Sequence, residues 1–120
     1  MAKYNILQEK SFAFAVRIVN LYKYLCEDKK EFVLSKQILR SGISFGANLE
    51  EGIGAQSEKD FLSKISIAYK EARETIYWLK LLNTTNYISE EQFHSINIDA
   101  EEICKIAAKI IITLKNKLKL

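Results

Sequence analysis

The sequence predicts an all-α fold, an antiparallel up-down-up-down four-helix bundle, on three observations. No proline and only four glycines occur in 120 residues, so the usual punctuation of strands and tight turns is missing. Apolar residues recur at spacings of three and four through four separate segments. The segments are joined by short connections, which make sequential helices antiparallel neighbours. At 48% hydrophobic and 28% charged, the composition is that of a globular protein and not of a disordered or fibrous one. The length fits a single domain, residues 1–120, burying about two-thirds of the surface of its unfolded chain.

The first helix is expected over about residues 9–28, where two apolar rows lie side by side: Phe12, Val16, Val19 and Cys26, then Phe14, Ile18, Leu21 and Leu25. Charges at Glu27, Asp28, Lys29, Lys30 and Glu31 mark a connection. The second, about 34–53, sets Ile38, Gly42, Phe45, Leu49 and Ile53 on one face. Gly42 and Gly46 inside this helix point to a close helix–helix approach, because each costs ~1 kcal/mol relative to Ala. The third, about 58–83, follows Ser57 as N-cap and carries Phe61, Ile65, Ala68, Ala72, Ile76 and Leu79 on its core face. Thr84, Thr85 and Asn86 form the next loop. The fourth, about 89–118, opens on a Ser89–Gln92 capping box and repeats Phe93, Ile96, Ala100, Ile103, Ala107, Ile110, Leu114 and Leu118 to its end.

The chemistry-bearing residues are few. Glu91 and His94 have the Glu-x-x-His spacing of half a di-iron site, but His94 is the only histidine, so no metal and no cofactor is expected. The acid pairs Glu71/Glu74 and Glu101/Glu102 sit among Lys70, Arg73 and Lys105 as ordinary surface pairs. Catalytic residues are not visible, and the chain reads as a non-enzyme. Cys26 and Cys104 are expected ~20 Å apart along the bundle and reduced. With no signal peptide and no long apolar run, a cytoplasmic protein off the membrane is expected.

Net charge is only +3, yet the fourth helix separates its charges. Its first half is acidic. Its second half carries Lys105, Lys109, Lys115, Lys117 and Lys119 with no acid, which suits the helix dipole and a solvated tail first, and a phosphate-binding patch as the competing reading. The second helix carries a polar row, Lys36, Arg40, Ser44, Asn48 and Glu51, whose Ser and Asn are unusual in mid-helix and mark a subunit contact. Ile67, Tyr77, Trp78 and Leu81 fall on the back of the third helix, an apolar stripe that self-association would cover.

The run from Gln37 to Gly52, with its Arg40-Ser41-x-x-Ser44-x-x-x-Asn48-x-x-Glu51-Gly52 core, is followed by Ser57-x-x-Asp60-Phe61 and by Ala68-x-x-Glu71-Ala72-x-Glu74-Thr75-x-x-Trp78-Leu79. Together they resemble the bacterial 23S rRNA intervening-sequence proteins over about residues 10–115, in the branch termed four helix bundle protein. The resemblance implies a left-handed bundle assembling as a ring, typically a homopentamer, with no known catalytic activity. Accessory proteins of diversity-generating retroelements are similar in build and bind nucleic acid. The expected function is therefore a non-enzymatic homo-oligomer that binds structured RNA or DNA through Lys36, Arg40, Lys105, Lys109, Lys115, Lys117 and Lys119. The other reading is an assembly scaffold for a protein partner, with no nucleic acid. The expected subunit contact uses Ser44, Asn48, Glu51, Ile67, Tyr77, Trp78 and Leu81.

Overall fold

Helical periodicity becomes four long rods in the computed structural model, which describes residues 4–120: α1 (Asn5–Glu27), α2 (Leu34–Ile53), α3 (Glu58–Thr84) and α4 (Glu90–Leu118). Successive helices pack side by side, and α1 against α4 closes the square. This is the expected up-down-up-down bundle, 47 Å long and about 22 Å across. The turn between α1 and α2 and the turn between α3 and α4 lie at one end, and the α2–α3 turn lies at the other.

The helix ends are fixed as their local residues dictate. Ser57 Oγ accepts the Asp60 N–H at 3.1 Å, and Ser89 and Gln92 form the reciprocal box at 3.1 and 2.8 Å. Asn86, at φ 68°, lets the Tyr87 N–H reach the Leu82 carbonyl at 2.9 Å and so closes α3. The start of α2 is capped from the preceding turn. Lys30 is left-handed, at φ 54°, and turns the chain so that the buried Glu31 carboxylate accepts the N–H groups of Val33, Leu34 and Ser35 at 3.2, 3.0 and 2.7 Å. Burial works to raise its pKa. The bonds from the Leu34, Ser35 and Val33 N–H groups and the Ser35 hydroxyl outweigh burial and leave the carboxyl below the ordinary glutamate value.

The core contains the predicted rows of α2, α3 and α4, with Ile38, Phe45, Leu49, Ile65, Leu79 and Ile103 fully enclosed. Each such side chain contributes roughly 1.5–3 kcal/mol of burial. Gly42 is required by the packing. A Cβ there would stand 2.7 Å from both γ carbons of Ile18, so α1 and α2 meet at contact distance. A Cβ on Gly52 would stand as close to Phe61, 2.8 Å from its Cδ1. In α1 only one of the two apolar rows is buried: Phe14, Ile18 and Leu25 are enclosed, whereas Phe12 is 72% and Val16 46% exposed. The first and last helices share the loosest seam, clasped across its surface by Lys10–Glu102 at 2.9 Å and Arg17–Asp99 at 2.8 Å.

Candidate nucleic-acid and assembly surfaces

The outward face of α4 gathers the basic end. Lys105 and Lys109 stand one turn apart, followed by Lys115 and Lys119, all exposed. None of these four, nor Lys36, forms an ion pair among the described residues. Lys117 does: it binds Glu58 of α3 at 2.8 Å, and that hydrogen bond and charge push its pKa up. Lys36 lies at the other end of the bundle on the diagonally opposite helix, so the structure does not bring it to the α4 lysines. Arg40 is clasped between Glu71, at 2.9 Å, and Glu74. Among the seven expected contacts, Lys105, Lys109, Lys115 and Lys119 thus form a group of unneutralised cations, spread over ~21 Å of helix.

The residues expected at the subunit contact largely serve the chain itself. Asn48 donates to the Ser44 carbonyl at 2.9 Å and lies 3.1 Å from its hydroxyl, a bond internal to α2. Glu51 pairs with Lys64 at 2.8 Å. Trp78 is half-buried against the core, and its indole N–H donates to Glu74 at 3.0 Å, the same carboxylate that holds Arg40. Leu81 is half-buried, while Ile67 and Tyr77 are exposed at 41% and 60%. The most exposed large apolar side chain within a helix among the described residues is Phe12, which lines a shallow cavity with Ile43 on the α1/α2 face.

No group of three His, Cys, Asp or Glu among the described residues is placed to hold a metal, and His94 is exposed. Both cysteines are free; burial pushes the Cys104 thiol up to about 11, a pKa at which it stays protonated at neutral pH. No helix is long and apolar enough to cross a membrane.

The profile of the 23S rRNA-intervening sequence proteins matches residues 3–109. The chain belongs to the 23S rRNA-intervening sequence protein family. Among solved structures, it is similar to a crystal structure of a protein with unknown function from the S23 ribosomal protein family of Bacteroides thetaiotaomicron, at 59% identity and a TM-score of 0.89. That alignment covers 91% of this chain and 97% of the other. No curated protein was found to match. The Arg40–Gly52 run that carries the resemblance is explained largely by internal packing. Arg40 ties α2 to α3, the buried hydroxyls of Ser41 and Thr75 lie 2.9 Å apart in a hydrogen bond, and Gly42 and Gly52 admit Ile18 and Phe61.

Proposed function

We propose that this protein is a non-enzymatic, homo-oligomeric bundle of the cytoplasm that binds structured nucleic acid, RNA foremost, through the outer face of α4. The observation that carries the reading is the clustering of four exposed lysines, Lys105, Lys109, Lys115 and Lys119, none of them in an ion pair among the described residues, in a stretch that holds no acid after Glu102. A row of ammonium groups is suited to the phosphate backbone, where each contact releases a counterion and none reads a base. Two of the three arginines, Arg17 and Arg40, are held by carboxylates, which fits backbone binding better than bidentate base reading. Repetition of the row in an assembly multiplies weak contacts by effective concentration.

The test is fluorescence anisotropy of a labelled structured RNA at low salt. The wild type binds, and the double variant Lys105→Gln/Lys109→Gln binds at least tenfold more weakly, as does Lys115→Gln/Lys119→Gln. A wild type that does not bind at low salt refutes the reading and leaves the scaffold in its place.

A further inference from the structure

We propose that a groove beside the last turns of α4 binds a free fatty carboxylate, one alkyl chain of about ten carbons, with its head group at Lys109. The inference goes beyond the nucleic-acid reading and stands without it. Lys10 opposite Glu102 and Arg17 opposite Asp99 set the register in which α1 runs antiparallel to α4. Because α1 begins only at Asn5 while α4 runs on to Leu118, the turns of α4 beyond residue ~110 have no turn of α1 beside them among the described residues. The space left is a cavity of about 440 Å³, of the size that holds small molecules. Its walls are Ile106, Ile110, Thr113 and Leu114 of α4, Tyr4 ahead of α1 and Glu58 at the start of α3. The floor is apolar and fixed. Leu114 and Tyr4 are enclosed, the Tyr4 ring lies 4.8 Å from that of Phe61, and Ile106 and Ile110 are half-buried.

Shape and charge choose the ligand. Ile106, Ile110 and Leu114 follow one another one turn apart, an aliphatic strip ~12 Å long. An alkyl chain with C–C bonds of about 1.5 Å advances about 1.3 Å per carbon, so about ten carbons cover the strip. At the rim, Lys109 is exposed and in no ion pair among the described residues. Helical side chains lean toward the helix N-terminus, which carries its ammonium group to the Ile106 end of the strip. The neighbouring carboxylates are already neutralised, Glu58 by Lys117 at 2.8 Å and Glu102, one turn before Ile106, by Lys10 at 2.9 Å. The groove therefore offers an uncommitted cation at one end and an apolar trough behind it, which are the two demands of a carboxylate on an alkyl chain.

Isothermal titration calorimetry of the full chain at pH 8 with sodium octanoate, nonanoate and decanoate, each below its micelle-forming concentration, tests this. One ligand should bind per chain, with affinity rising about two- to fourfold for each added methylene. Lys109→Gln should weaken decanoate about fivefold, and Lys109→Arg should keep the wild-type affinity. Thr113→Tyr, at an exposed position whose larger side chain fills the trough, should abolish decanoate binding with the helical circular dichroism unchanged. Phosphatidylglycerol vesicles should not retain the chain, which separates a free carboxylate from a membrane surface. No saturable decanoate binding, an affinity independent of chain length, a Thr113→Tyr variant that binds like the wild type, or retention on vesicles without decanoate binding overturns the inference. RNA binding is read separately: decanoate binding together with absent RNA binding in the wild type supports this site and refutes the nucleic-acid reading alone.

Discussion

Replacing Glu31 by Gln isolates one carboxylate that holds the start of a helix. Its Oε2 accepts the N–H groups of Val33 and Leu34, and its Oε1 accepts that of Ser35, a residue with no exposed surface. A glutamine offers one acceptor oxygen. In its better orientation the oxygen serves Val33 and Leu34, and the amide group faces the Ser35 N–H, which loses its partner. An orphaned buried N–H costs about 1–3 kcal/mol, and the lost charge at the α2 N-terminus adds about 0.3–1 kcal/mol. A loss of about 2 kcal/mol at pH 7 lowers the urea midpoint by about 1 M for an m-value of about 2 kcal/mol/M. The pH dependence has a fixed sign, because the native carboxyl lies below the ordinary glutamate value. Its stabilisation is complete above the unfolded-state pKa of about 4.3 and disappears as pH falls through the lower native value. Urea unfolding of wild type and Glu31→Gln, at one protein concentration and at pH 7 and 2.5, should show a gap that shrinks in acid. Equal midpoints at pH 7, or a gap of the same size at both pH values, would refute the reasoning.

Gly42→Ala should destabilise by about 1–2 kcal/mol, because overpacking against Ile18 at 2.7 Å outweighs the helix-propensity gain. Gly46→Ala, whose Cβ would meet nothing nearer than Ser11 at 3.6 Å, should be neutral or stabilising by up to ~1 kcal/mol; both are read from urea midpoints. Thr75→Val strands the buried Ser41 hydroxyl and should cost about 1–2 kcal/mol, while Thr75→Ser should recover most of it. Thiol titration at pH 8 should modify Cys26 before Cys104, whose thiol titrates near 11, and both should react together in denaturant.

Much of the fold was legible because helix signals are local. The apolar rows of α2, α3 and α4, the Ser57 cap and the Ser89–Gln92 box all appear where spacing places them. The two rows of α1 were readable as apolar, but not which one the bundle would cover. Phe14 and Phe12 are equally apolar, and only the positions of α2 and α4 make the first core and the second surface. Glu31 was hidden within a run of charges, since its capping role depends on the left-handed turn at Lys30. Trp78 looked like an exposed anchor because periodicity does not show that Glu74 would receive its N–H and Arg40 together. Of the basic residues, spacing located the α4 group, whereas the commitment of Arg40 and Lys117 to carboxylates on α3 is a tertiary fact.

The salt dependence of RNA affinity tests the functional account most directly. If the four unpaired lysines of α4 each neutralise a phosphate, log K plotted against log salt should fall with a slope of about −3.6 per subunit engaged on duplex, and each Lys→Gln substitution among them should flatten it by about 1. A slope near zero, or one that Lys105→Gln and Lys109→Gln leave unchanged, contradicts it.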